Sequence, residues 1–484
     1  MSTEPLLLAG AVLILAGALL SITSTRFGVP SLVLFLFLGM AAGSEGIGGI
    51  EFDDTALAQQ YGVVALAFIL FAGGLGTEWS RIRPVLAPGV ALASVGVALS
   101  AGLLGGMATL VLDLSLTQGM LLGAIIASTD AAAVFSILRS RGVAVRPRLT
   151  SLLELESGSN DPAAVFLTVA VIGVIQSDGT GPIGVVGLFV LQMVVGAAAG
   201  WALARGAAWV INTVRLEYDG LYPVITIAFV LFTFEGVSTI GGSGFLAAYV
   251  AGVTLADTEF LHKRSLTLFH DAIAWLMQIS MFVLLGLLVF PSNLGPVALP
   301  GLAVAAMLMF VARPLATVVT LLPFRVPRRE VAFVSWVGLR GATPIILATF
   351  PVVEGIDGAD TIFDVVFFVV LASVLVQGST IPRAARLTGV AAAERRDHVL
   401  ATEITLTGEA GHDLHDVEVP EGSRAAGVSL VALHLPPGAL IVLLHRGDDT
   451  LVPEGRTILR AGDRLTVFAD AERLAAVRRL VGPR

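Results

Sequence analysis

The chain has 484 residues, of which 56% are hydrophobic and only 14% charged, against the roughly 25% charged that soluble domains carry. That balance identifies a membrane protein. The absence of cysteine excludes disulfides and thiolate metal sites, the seven histidines show no metal-ligating spacing, and a net charge of −8 with no basic run excludes nucleic acid as a partner.

A helix needs about 20 apolar residues to cross a bilayer. Thirteen such segments follow one another, at approximately 5–25, 30–44, 57–76, 84–112, 117–138, 149–176, 182–211, 221–235, 239–256, 271–291, 297–322, 331–351 and 361–381. The first lacks the basic leader and cleavage site of a signal peptide and is expected to be retained. The fold class read from this pattern is an all-α polytopic membrane protein of about 13 transmembrane helices. Positive side chains mark the cytoplasmic side of such a protein, and here they fall at alternate boundaries: Arg26, Arg81 and Arg83, Arg139 to Arg148, Arg215, Lys263 and Arg264, Arg325 to Arg329, and Arg383 and Arg386. The other connections (SEGIGGIEFDD, LDLSLT, QSDGTG, EGIDGAD) carry acids and no arginine or lysine. This places the amino terminus outside and the residues after 382 inside, which requires an odd number of spans.

A charged side chain at a helix centre costs roughly 2.5–3.5 kcal/mol on insertion scales, so the intramembrane charges call for a reason. Span 5 carries Thr129 and Asp130 among small residues; the threonine, a common packing residue, gains weight only from its neighbour. On span 6, Glu154, Ser157 and Asp161 fall on one helical stripe and Glu156 and Asn160 on an adjacent one. The first stripe suits a hard monovalent cation that prefers oxygen ligands; from the second, Glu156 could pair with a buried arginine. Pro162 removes a helical hydrogen bond beside Asp161. Glu154 lies nearer the cytoplasmic end, where it either reaches water or supports the site. Arg313 of span 11 likewise either snorkels to the boundary or turns inward as support. Span 12 holds Arg340, with Gly341 and Pro344 weakening the helix just after it, and span 13 holds Gln377. Broken helices at corresponding places are expected where inverted repeats meet at a binding site, and spans 4–6 and 11–13 would be those repeats.

Beyond residue 390 the composition turns soluble. Residues 397–484 contain short alternating strands such as ALIVLLHR and DRLTVFAD, turns such as PPG and PEG, and a closing helical stretch AERLAAVRRL. They read as a small cytoplasmic α+β domain following a transmembrane domain of residues 1–390.

The pair Thr129–Asp130, the run Glu156-Ser157-x-x-Asn160-Asp161 and the run Gly338-Leu339-Arg340-Gly341 resemble the monovalent cation:proton antiporters, and within them the bacterial sodium/proton and potassium/proton exchangers related to animal sodium/proton exchangers. The resemblance covers roughly residues 5–390. It implies an antiporter rather than an enzyme, placed in the cytoplasmic membrane and surrounded by lipid. It also implies a homodimer in which spans 1–3 and 7–10 form the scaffold and the two repeats form the moving core. Asp161 would be the shared cation and proton site, with Ser157, Thr129 and Asp130 assisting, Asn160 supporting them, and Glu156 paired with Arg340. Asn160 directly before the aspartate implies electroneutral exchange. One departure is Ala72 after Phe71, where many relatives carry an acid. The stretch AGVSL at 426–430 and the strands after it resemble the C-terminal subdomain of regulators of potassium conductance. That favours potassium over sodium, and implies a small regulatory ligand of nucleotide type but no other cofactor. The nucleotide-binding half of such regulators is not expected, since no Gly-x-Gly-x-x-Gly follows a strand.

Exchange would follow from competition. A bare carboxylate crosses an apolar barrier at high cost, so the core moves only when a proton or a cation neutralises Asp161. Two rivals are a ligand-gated potassium channel, which would need a TVGYG-like filter that the sequence lacks, and a non-transporting sensor.

Overall fold

The computed structural model describes residues 3–27, 31–176, 182–214, 218–258, 260, 262–392, 413–420, 422–447, 449–469 and 471–482. Arg215, most of the connection 176–181 and the expected start of the second domain at 397 lie outside the described residues. The chain forms two compact units, residues 1–395 and 396–484.

Unit 1 is a bundle of thirteen helical segments. They are span 1 (Thr3–Phe27), span 2 (Ser31–Ala42), span 3 (Thr55–Leu75), span 4 (Trp79–Leu112), span 5 (Leu116–Ile126 and Ala131–Ser140), span 6 (Pro147–Ile175), span 7 (Pro182–Thr213), span 8 (Leu221–Thr239), span 9 (Gly244–Ala256), span 10 (Lys263–Leu287), span 11 (Pro291–Phe324), span 12 (Arg328–Trp336 and Thr343–Val353) and span 13 (Ala359–Thr388). Among the described residues eight helices are long and apolar enough to cross a membrane alone, and the pair of helices in span 5, bent by 45°, makes a ninth. The chain is an integral membrane protein. The largest displacement from the expected boundaries is at span 10, which starts at Lys263 rather than 271. Its charged first turns dilute the hydropathy but not the helix, and Lys263 Nζ donates to Ala256 O (2.8 Å) at the end of span 9, where a cation is favoured.

Three features recur in order in spans 4–6 and 11–13. Spans 4 and 11 each contain a π-helical turn, Leu92–Gly96 and Leu308–Ala312. Spans 5 and 12 are each broken at the middle, at 127–130 and 337–342. Spans 6 and 13 are long helices that place polar side chains beside the breaks. The expected repeats are therefore present, with the break in span 12 beginning before Arg340 rather than after it. Outside these repeats, span 9 packs against spans 3 and 7, and span 10 against spans 2 and 3.

Side-to-side contacts fix which connections share a face. On one face β1 (Ala144–Val145), between spans 5 and 6, pairs antiparallel with β2 (Ala391–Ala392), after span 13, in the register Ala144 to Ala392 and Val145 to Ala391. Arg146 meets Glu330 at 3.6 Å. On the other face Gln118 Nε2 donates to Asp357 O (2.7 Å), Gln176 Nε2 to Glu354 Oε2 (3.1 Å), and Glu45 accepts from the amide and hydroxyl of Ser292 at the start of span 11 (2.8 and 2.5 Å). The arginine-bearing connections around 139–148, 325–330 and 383–392 thus share one face, and the acidic connections around 113–118, 176 and 354–357 are joined to one another away from it, with that around 45 joined to the start of span 11.

Unit 2 is a four-stranded antiparallel sheet, ordered β3 (Asp413–Glu418), β6 (Arg464–Ala469), β4 (Leu440–Arg446) and β5 (Asp449–Leu451), with the helix Ala471–Val481 packed on it. Leu444, Leu459, Leu465, Val467 and Val477 are fully buried between them. Beside this core Asp463 accepts two parallel bonds from Arg446 (2.9 and 2.7 Å) and one from the Arg460 amide (2.7 Å). Burial alone would push the Asp463 carboxyl up, but these donors hold it below the usual carboxylate range. Asp463→Asn should destabilise this unit by on the order of 2 kcal/mol, read as a lower unfolding temperature. In the unaltered chain the same contribution should persist above about pH 4 and disappear as pH falls through the depressed value.

Candidate functional site

Breaking a helix inside a bilayer frees backbone groups that no water is present to satisfy. At the end of the first half of span 5 the carbonyls of Ala127 and Ser128 are left open, and Arg340 donates Nη1 to both, at 2.8 Å for Ala127. A guanidinium here also meets the negative end of the helix dipole. The second half of span 5 begins at Ala131, and Asp130 caps it by accepting from the Ala133 amide (2.9 Å). The two breaks join directly, because Asp130 N donates to Leu339 O at 2.8 Å.

Span 12 is satisfied in the same manner. Gln377 Nε2 donates to Trp336 O (2.7 Å) at the end of its first half, Ser373 donates to Gln377 Oε1 (2.5 Å), and the Arg340 amide donates to Ser373 (3.2 Å). Ser373 and Gln377 are four residues apart on one face of span 13. Only Gln377 stood out in the sequence; the i, i+4 spacing of Ser373 to it was the signal that could have found this serine.

Span 6 runs past both breaks as one unbroken helix despite Pro162. Ser157 bridges the gap in span 5, donating to Thr129 O (2.9 Å) and accepting from the Ala131 amide (3.0 Å). Asn160 Nδ2 donates to the Thr129 hydroxyl at 2.6 Å. Asp161 is 7% exposed and its Oδ1 is buried without a hydrogen-bond partner; the hydroxyls of Ser128 and Thr343, from the two breaks, lie beside it, as does Asp130. A cavity of about 490 Å³ extends from Asp161 past Ser157 and Glu154 to the exposed Arg139. The stripe Glu154, Ser157 and Asp161 therefore lines one wall, and Glu154 faces the cavity. Span 3 contributes Ala72 and Thr77, span 9 Tyr249 and span 10 Asp271. None of the last three stood out in the sequence: Thr77 and Asp271 lie at the ends of the apolar runs 57–76 and 271–291 and look like boundary residues, and a lone tyrosine within an apolar run looks like a packing residue.

The pairing of Glu156 with Arg340 is corrected by the structure. Glu156 pairs with Arg313 at 2.6 Å, both fully desolvated at 1% and 3% exposure. Arg340 is committed to the carbonyls of span 5, and the π-helical turn at Leu308–Ala312 leads directly into Arg313. Arg313 also donates to Val334 O (3.3 Å) and runs alongside Gly338, where a Cβ would collide with its side chain. It is thus inward and does not snorkel.

Removing one partner of a buried ion pair leaves an uncompensated charge, at about 3–5 kcal/mol. Glu156→Ala should therefore lower the unfolding temperature in detergent strongly. The double variant Glu156→Leu with Arg313→Leu should recover most of the loss, whereas Glu156→Ala with Arg340→Leu should not.

The transmembrane sodium/hydrogen exchanger family matches residues 11–387, and the TrkA-C domain family matches residues 414–482. The chain is 39% identical to the K(+)/H(+) antiporter NhaP2 of Shewanella baltica, over 99% of this chain and 83% of that one. It is 42% identical to the K(+)/H(+) antiporter NhaP of Alkalimonas amylolytica, over 78% of this chain and 65% of that one. The sodium proton antiporter MjNhaP1 of Methanocaldococcus jannaschii shares the fold at a TM-score of 0.68, with 24% identity over 79% of this chain and 99% of that one. Two crossing broken helices, repeated in order and matched over most of the sequence, leave one assignment: the chain belongs to the sodium/hydrogen exchanger family and carries a TrkA-C domain.

Proposed function

We propose that the chain is a secondary antiporter that exchanges K⁺ for H⁺, with Asp161 as the site both ions share. The observation that carries this reading is the buried Asp161 oxygen without a hydrogen-bond partner, at the end of a cavity that Thr129, Asp130, Glu154 and Ser157 also line. A buried carboxylate without a partner is costly, and either a proton or an alkali cation removes the cost, but not both together. The neighbouring groups favour one charge at a time. Arg313 is committed to Glu156 and Arg340 to backbone carbonyls, so Asp161 has no cation of its own and one proton or one monovalent cation neutralises it. This supports electroneutral, one-for-one exchange. Ser157, Thr129 and Asp130 assist at the site and Asn160 fixes Thr129. Potassium is favoured by the two relatives named K(+)/H(+) antiporter.

The protein lies in the cytoplasmic membrane of a bacterium as a homodimer, with the arginine-bearing face inward, as the charge asymmetry requires. The cavity reaching Arg139 then makes this an inward-facing state. The TrkA-C unit takes a small ligand of nucleotide type that regulates exchange.

In everted vesicles K⁺ should dissipate an imposed pH gradient more effectively than Na⁺ or Li⁺, and Asp161→Asn should abolish the response while the protein still folds. As pH falls, the apparent KM for K⁺ should rise and the maximal rate should change less, as competition for one group demands. Pure Na⁺ selectivity, or retained exchange in Asp161→Asn, would overturn the assignment. Orientation is open to a direct check because the chain has no cysteine. Arg141→Cys should react with an impermeant maleimide in everted vesicles, and Ile47→Cys, fully exposed on the acidic face, should react in intact cells.

A further inference from the structure

The oxygens closest to Asp161, from Ser128, Thr129, Ser157 and Thr343, sit on the two repeats. Other oxygens in the same cavity come from elsewhere, and among them the hydroxyl of Tyr249 is both buried and unpartnered. Tyr249 lies on span 9, which packs on spans 3 and 7; it is 4% exposed, lines the cavity with Glu154 and Asp161, and its hydroxyl has no hydrogen-bond partner. Buried hydroxyls are nearly always satisfied. The Thr77 hydroxyl, whose own proton goes to Gly73 O (2.7 Å), and the carboxylate of Glu154 are its polar neighbours in the cavity.

The ring of Tyr249 is pinned. It lies so close over Gly158 that a Cβ there would run into the ring carbons. Gly158 is one turn before Asp161 and one turn after Glu154, so the phenol sits at the level between the two carboxylates. A second cavity, of about 320 Å³, approaches from the opposite side and is lined by Pro162, Phe166 and Phe245. The division between the cavities is one residue wide on span 6, from Asp161 to Pro162, and one turn wide on span 9, from Tyr249 to Phe245.

We propose that Tyr249 is a further cation-binding residue: its hydroxyl oxygen takes the incoming alkali cation, or a water in its shell, between Glu154 and Asp161 in the state open toward Arg139. A neutral hydroxyl oxygen suits a weakly hydrated monovalent cation, replacing one water of its shell. Because it belongs to a different body from the other ligands, relative motion of the repeats carries Asp161 away from it. Tyr249 therefore strengthens binding on one face only, and its ring, with Phe245, closes the other.

This rests on the exchange reading above, and Tyr249→Phe tests it, since the ring and its seal remain and only the hydroxyl is lost. Exchange is measured in everted and in right-side-out vesicles, with K⁺ added at one face at a time and Asp161→Asn as the inactive reference. The expected result is a rise of about tenfold in KM for K⁺ at the Arg139 face, with unchanged maximal rate, unchanged KM at the opposite face and an unchanged unfolding temperature. An unaltered KM at the Arg139 face, or an equal rise at both faces, overturns the proposal while leaving exchange at Asp161 intact. Unaltered protein that moves no protons in response to K⁺ overturns the exchange reading itself, and this proposal with it.

Discussion

Backbone satisfaction inside the bilayer is the constraint from which the site follows. Two helices are interrupted inside the bundle, and most of the backbone groups they expose find a protein partner. Arg340 closes one break and Gln377 the other, while the amide of Asp130 and the carbonyl of Leu339 close the two against each other. Span 6 then stitches the first break with Ser157 and Asn160. Beside these closed backbone groups several buried side-chain atoms stay open, Asp161 Oδ1 together with the Ser128 hydroxyl, Asn160 Oδ1 and Arg340 Nη2. Of these, Asp161 carries the negative charge that a cation or a proton from outside can neutralise.

The buried charges follow the same logic. Arg313 and Arg340 are both fully buried, yet they do different things. Arg313 neutralises Glu156 and ties span 6 to the first half of span 12 through Val334. Arg340 serves carbonyls rather than a carboxylate, and so holds spans 5 and 12 in register. Neither cation is spent on Asp161, which keeps that carboxylate available.

Much of this was legible in the sequence. Apolar run length marked out the thirteen segments, because it depends on a property that sums over many residues. The helical stripe of Glu154, Ser157 and Asp161 was readable for the same reason that span 6 is unbroken, since a regular helix keeps its angular spacing. The partner of Glu156 was not readable. Its choice between Arg313 and Arg340 depends on a π-helical turn just before Arg313, which leaves no mark in local composition, and on which side chain the carbonyls freed by the break in span 5 take up, which the break itself does not reveal. Tyr249 and Asp271 were hidden because a cavity wall is assembled from distant segments, each contributing one polar group.

The short ladder between β1 and β2 has a mechanical meaning. The elbow it holds, Ala144–Val145, connects the helix capped by Asp130 to the helix bearing Asp161, and the strand it holds it with is the last described piece of unit 1 before the chain continues to residue 413. Two rungs and a contact from Arg146 to Gly389 O at 3.5 Å make a weak fastening. The ladder therefore ties this elbow to the end of span 13, so that the angle between the helix capped by Asp130 and the helix bearing Asp161 is set partly by a strand from the other repeat.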